Sequence, residues 1–161
     1  MHQRAAVLIE KLNLEPHPEG GRFAEVYRSP DTVQPADGRG ERSAVTTIYF
    51  LLLAGEFSRW HKVRSDELWH HYEGAPLELH LINSQTWERK CLLLGPEGSG
   101  GEAVQVIPGG CWQAAVTTGE YTLVGCTVAP GFEFSDFEFL LDDEDESAEM
   151  RRGFPELVEF L

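Results

Sequence analysis

His61 and Glu67 stand six residues apart in "GEFSRWHKVRSDELWHHYEG", Gly55 to Gly74. An imidazole and a carboxylate at that separation can do one of two kinds of chemistry. With further donors they ligate a transition metal, since zinc, iron, manganese and nickel accept mixed nitrogen and oxygen ligands. Without them they move protons, the imidazole serving as base. The spacing reads G-x5-H-x-V-x3-E-x6-G, a frame on which small β-barrels hang a metal, but the position two after the histidine is Val63, which offers no donor. His71, four beyond Glu67, falls on the same strand face with Trp69. It either replaces a lost ligand or stands as a hydrogen-bonded wall, and His70 faces the opposite side.

Other residues carry weaker chemical signals, each with a structural alternative. "PHPEGG" (Pro16 to Gly21) has paired glycines that permit positive φ or close backbone approach, so His17 and Glu19 either flank a cavity mouth or belong to a plain turn. Tyr49, Trp69 and Trp112 can stack a planar ring, or fill core. Arg22, Arg28 and Arg59 can clamp a phosphate, or be solvated. Neither G-x-S-x-G nor G-x4-G-K-[ST] occurs in the chain.

The elements that must position these groups are short. The 161 residues are expected to form a single domain over 1–161. "QRAAVLIEKL" (Gln3 to Leu12) predicts a first amphipathic helix stopped by Pro16 and Pro18. Strands are predicted at Phe23–Arg28, Val45–Leu53, Glu67–Tyr72, Leu77–Asn83, Trp87–Leu94, Ala103–Ile107, Trp112–Val116 and Tyr121–Val128. Breaks this close leave no room for crossover helices, which excludes a parallel α/β sheet and favours an all-β antiparallel barrel or sandwich. Ser29–Ser43 and Gly95–Glu102 read as loops that need not pack. The tail from Leu141 opens on acids suited to a helix N-terminus and ends with Phe154, Leu157, Val158 and Leu161 at helical spacing, so a C-terminal helical cap is expected.

The net charge of −14 argues against binding a nucleic-acid polymer, which rests on lysine and arginine displacing counterions from phosphates. Eleven acidic residues lie in Glu133–Leu161, while seven of the 13 cationic side chains lie between Arg22 and Arg64. A small anion could be held there. Three cysteines with no paired spacing indicate neither a disulfide framework nor a cysteine zinc site and fit a reducing, cytoplasmic setting. No leader or membrane-spanning stretch is read.

The frame around His61 resembles the first motif of the cupin superfamily, where a second histidine would occupy the place of Val63. "PGGCWQ" (Pro108 to Gln113) resembles the second motif, with Gln113 where a histidine should be and Glu102 at the place of its leading glycine. The closer resemblance is to a branch of unknown function sharing "PHPEGG", the triplet Tyr27 to Ser29, T-x-I-Y-F-L-L (Thr46 to Leu52), H-x5-E-x-W-H (His61 to His70) and "VAPGF" (Val128 to Phe132). The resemblance implies a double-stranded β-helix, or jelly roll, with a short helix at each end, and a homodimer. Two of four ligand positions survive, so neither a resident metal nor a cofactor is expected.

The leading expectation is a cavity that holds a small ligand, a nucleotide or nucleotide-sugar. The more distant resemblance to cupin-fold sugar-nucleotide epimerases implies a metal-independent isomerase with His61 as base and Tyr49 or Tyr72 as acid. One alternative is a metal-dependent isomerase or oxygenase built on His61, Glu67, Gln113 and His71. Another is a non-catalytic interaction module that contacts a partner through the acidic tail.

Overall fold

Most strands follow from alternation of apolar and polar residues, which gives each strand one face on a shared interior. The computed structural model describes residues 2–161. Helix α1 (Gln3–Leu12) leads into β1 (Glu15–Pro16), β2 (Arg22–Arg28), β3 (Thr32–Val33), β4 (Arg42–Ser43), β5 (Thr46–Leu53) and β6 (Phe57–Val63). There follow β7 (Asp66–Gly74), β8 (Leu77–Asn83), β9 (Arg89–Leu94), β10 (Val104–Ile107), β11 (Cys111–Thr117), β12 (Tyr121–Ala129), β13 (Phe137–Phe139) and α2 (Glu144–Gly153). Single 3₁₀ segments at Phe134–Asp136, Leu140–Asp142 and Pro155–Phe160 complete the C-terminal third.

A six-stranded sheet in the order β1-β2-β5-β12-β7-β10 faces a five-stranded sheet in the order β13-β6-β11-β8-β9. Every ladder among the described residues is antiparallel. This is the expected jelly roll with a short helix near each end. Phe50 and Leu52 of β5, Trp69 of β7 and Val124 of β12 meet Leu77, Leu79 and Leu81 of β8 between the sheets. The intervening residue of β5, Leu51, packs outward with Ala5 and Leu8 of α1. Burying both faces of a strand in this way requires the near-continuous apolar run "IYFLLL" that β5 carries.

The acidic tail covers the outer face of the other sheet. Asp143 caps α2 by accepting a hydrogen bond from the Glu146 amide, and Glu144, Asp145 and Glu146 lie in the first turn, where the helix dipole favours negative charge. Met150, Leu157 and Phe160 then pack on Trp60, Ile82, Trp112 and Ala114. The expected helical cap is thus an α-helix followed by a 3₁₀ turn.

Two expectations need correction. The loop Ser29–Ser43 contains the hairpin β3-β4, and its Arg42 grips the buried Asp136 through two 2.8 Å hydrogen bonds, with Arg39 Nη1 at 3.3 Å. Strand β9 begins at Arg89 rather than Trp87, because Trp87 sits at φ 55° in a turn where the Asn83 side chain accepts from the Gln85 and Thr86 amides. Strands β6 and β13 lie outside the sequence-based set. Among the described residues no helix is long and apolar enough to cross a membrane.

Candidate functional site

The segment "PHPEGG" turns tightly between β1 and β2 and is pressed against β6. Gly20 has φ 114° and Gly21 has φ 64°, both in the region glycine favours, and a Cβ on Gly20 would stand 2.2 Å from the Phe57 carbonyl oxygen. The Arg59 amide donates to the Glu19 carbonyl at 2.8 Å and locks the turn in place. Gly20→Ala should therefore cost about 2–4 kcal/mol of stability, through both the forced φ and the clash with backbone. A melting temperature unchanged in that variant would contradict the placement.

The locked turn lays the Glu19 carboxyl beside β6. The Ser58 hydroxyl donates to Glu19 Oε1 at 2.9 Å, while Glu19 Oε2 lies 3.3 Å from His61 Nε2 and 3.5 Å from His17 Nδ1. Ser58 and His61 are three residues apart, so on a regular strand they would point to opposite faces. A β-bulge brings them together: Ala115 pairs with Ser58 and Gln113 with His61, leaving Arg59 and Trp60 opposite Ala114 alone. Phe57 and Trp60 accordingly turn outward to the tail, and Ser58 and His61 turn inward.

His61 Nδ1 donates to the Arg59 carbonyl at 2.7 Å, so in the neutral ring the lone pair is on Nε2, facing Glu19. The ring stacks on Phe137 at 5.1 Å. Burial pushes its pKa down, opposed by the charge of Glu67 and by the Arg59 carbonyl. His17 is also held down by burial, with Phe23 edge-on at 4.6 Å. Glu67 projects inward from β7 and accepts a 2.6 Å hydrogen bond from Gln113 Nε2. Burial, reinforced by the charge of Glu19, raises its carboxyl to about 7 against the pull of His61 and Gln113. Burial raises Glu19 as well. These groups face a cavity of about 100 Å³ whose other walls include Phe23, Ile48, Val63, Phe132, Phe134 and Phe137. Two acids and two imidazoles thus share an apolar, closely walled space, an arrangement suited to proton transfer near neutral pH.

The comparisons with known proteins agree on the lineage. The family model described as Cupin superfamily (DUF985) matches residues 6–140. The chain belongs to the cupin superfamily. A hypothetical protein from Leishmania major has a solved structure at 32% identity and TM-score 0.82, the match covering 96% of this chain and 94% of that one. Protein SO0799 from Shewanella oneidensis gives 32% identity and TM-score 0.83, covering 99% and 98%. The uncharacterized protein YML079W of Saccharomyces cerevisiae is 29% identical over 154 residues, 86% of this chain and 76% of the yeast protein.

The residues of this cupin do not fit the four-ligand metal set that its frame resembles. Val63 presents an apolar wall, Gln113 offers only a neutral carbonyl oxygen, buried without a hydrogen-bond partner while its amide N–H goes to Glu67, and His61 Nε2 is matched with Glu19. Among the described residues, three ligating atoms mutually within 4.8 Å occur at Glu78, His80 and Cys91, away from this cavity.

Of the residues expected at the site, the cupin cavity brings together His61, Glu67, His17, Glu19 and Arg28, with Gln113 behind Glu67. Tyr49 lies elsewhere: its neighbour Ile48 lines the cavity, so strand alternation sends Tyr49 outward to the α1 side, edge-on to Tyr72 at 5.9 Å. Trp69 is interior core against Phe50, and Trp112 lies under α2 with Lys62 over its ring. His71 follows Glu67 along the strand by about 13 Å, too far to share a ligand, and its Nε2 meets the Ala75 carbonyl at 3.2 Å.

The arginines do not converge. Arg22 pairs with Glu56, Arg59 donates to the Pro18 carbonyl, and Arg28 at the cavity wall is held by Glu25 and Glu133. Ser58 and Cys126, which also belong to the site, carry no sequence signal of their own. Only their position on inward strand faces finds them, and for Ser58 the bulge hides it.

Proposed function

We propose that the cavity binds a small polar ligand and moves protons on it without a metal, as an isomerase or epimerase would. The observation that carries this is a buried imidazole, its Nε2 lone pair facing Glu19, and a buried carboxyl raised to about 7, set on opposite sheets but lining the same cavity. A base that is neutral and an acid half protonated at the working pH are the two states that general catalysis needs. His61 is the base. Glu67 takes the acid role expected of Tyr49, with Glu19 as proton partner of His61 and Gln113 holding Glu67 in place.

Size bears on the ligand. A cavity of about 150 Å³ is filled by a benzene ring, so about 100 Å³ suits a compound smaller than benzene, such as a three- or four-carbon hydroxycarbonyl compound or polyol. Of a nucleotide-sugar, at most one edge of the sugar would enter. Its phosphates would lie outside at Arg28, whose guanidinium is already paired with two carboxylates. A neutral hydroxylated ligand is therefore favoured over an anion. The apolar side of the tail packs on its own sheet, which leaves its acids, Asp142, Glu144 and Asp145 among them, at the surface for the interaction-module reading. The apolar side chains of Val104 and Val106 exposed on the edge strand β10 support the expected homodimer.

The test is solvent exchange. Short aldoses, ketoses and hydroxyketones incubated with the protein in deuterium oxide should gain deuterium beside the carbonyl for at least one compound, read by proton NMR. The exchange should vanish in His61→Asn and Glu67→Gln. Failure of every compound, or exchange indifferent to both substitutions, would overturn the proposal.

A further inference from the structure

The alternation that sends Leu77, Leu79 and Leu81 of β8 into the core sends Glu78, His80 and Ile82 to the outer face of the five-stranded sheet. On that face the antiparallel register sets His80 directly opposite Cys91 of β9 and opposite Ala114 of β11. Residues directly across a ladder have Cβ atoms about 5 Å apart, and the small Ala114 leaves the imidazole room. One ligand atom each from Glu78, His80 and Cys91 therefore fall within 4.8 Å of one another.

The histidine of this trio is unusual. It is 5% exposed, and its Nδ1 is buried with no hydrogen-bond partner. Its Nε2 lies 3.7 Å from Glu78 Oε2, beyond hydrogen-bond length. A buried polar atom left without a partner costs about 1–3 kcal/mol, so such a ring calls for a ligand. Phe160 stacks on it at 5.4 Å, which fixes the ring plane before anything binds.

We propose that Glu78, His80 and Cys91 bind a divalent cation of the zinc class on the outer face of the sheet, separate from the cavity. Nitrogen, oxygen and sulfur donors together select a borderline ion such as zinc over magnesium or calcium, which take oxygen ligands alone. On binding, Cys91 Sγ gives its proton to solvent and coordinates as thiolate, so the thiol ceases to be a free nucleophile. Three protein donors leave a fourth position for water. Glu159 lines the same surface depression as Glu78 and His80. The ion would tie two neighbouring strands to each other beneath the C-terminal segment that carries Phe160.

The experiment uses the whole chain, stripped with chelator, and titrates zinc against a chromophoric competitor and cobalt(II) as a spectroscopic probe. The expected result is a single ion per chain and a thiolate-to-cobalt charge-transfer band. Cys91→Ser and Glu78→Gln, both at accessible positions, should weaken zinc by roughly tenfold or more, since losing even an outer partner of a metal ligand costs that much. Cys91→Ser should also abolish the band, and zinc should protect Cys91 of the parent protein from a thiol reagent. Binding unchanged in Cys91→Ser, a band surviving there or lost only in Cys111→Ser, or zinc affinity set by His61 would each overturn the site. Failure of the cavity proposal would leave all these readings unaffected.

Discussion

Glu67→Gln is expected to make the protein more stable than its parent above pH 7 while removing its proton-transfer activity. The carboxyl sits at about 7 in the folded chain against an ordinary value of 4.5. Between those two values the folded state holds a proton that the unfolded state has released, so the stability linked to this proton is fully present below pH 4.5 and is lost as pH rises through about 7. At about 1.4 kcal/mol per pH unit the loss comes to about 3 kcal/mol. Glutamine cannot ionise and avoids it, and its amide oxygen can still accept from Gln113. The two proteins should melt together near pH 4 and diverge by roughly 10 °C above pH 7. Glu19, raised for the same reason, leaves a residual slope of the same sign in the variant. His17 and His61 act oppositely: burial holds both down, so their contribution is lost as pH falls below the ordinary imidazole range. Melting curves from pH 4 to pH 9 read the difference directly. Curves that stay parallel over that span would mean that Glu67 is ionised at ordinary pH.

The second large effect belongs to His61. His61→Asn should slow any turnover by about 10²–10⁴-fold, the usual contribution of a positioned base. Its amide can take over the hydrogen bond that His61 Nδ1 makes to the Arg59 carbonyl, so the melting temperature should move by only a few degrees. What disappears is the lone pair on Nε2. A drop in stability with ligand binding intact would instead make His61 a structural partner of Glu19, and calorimetric titration beside a melting curve separates the two outcomes.

What could be read from the chain depended on how local the cause was. The run "IYFLLL" and the paired glycines of "PHPEGG" constrain their own backbone, and both led to the observed structure. Strand β6 was hidden because its bulge breaks the period of two: "FSRWHKV" puts Ser58 and His61 on one face and Phe57 and Trp60 on the other, a pattern that belongs to no regular element. Tyr49 was misplaced for the opposite reason. A one-residue shift on a strand reverses the face, and both faces of β5 are buried, so hydrophobicity could not tell Tyr49 from Ile48. The cationic segment from Arg22 to Arg64 looked like an anion site because a count of charges omits the carboxylates that meet them. Asp136, Glu133 and Glu138 come from elsewhere in the chain and engage Arg42, Arg28 and Lys62, while Glu56 of the segment itself engages Arg22. The cluster of Glu78, His80 and Cys91 required the β8-β9 register, which spacing alone does not supply.

The account rests on a proton that Glu67 keeps at neutral pH, and this can be measured without knowing the ligand. Carbon-13 NMR of glutamate-labelled protein, with the Glu67 carboxyl resonance assigned by its loss in Glu67→Gln, gives the titration midpoint of that one group. A midpoint near 7 is the predicted result. A midpoint near 4.5 would show an ordinary solvated carboxylate and contradict the proposal that this cavity is built for acid–base chemistry.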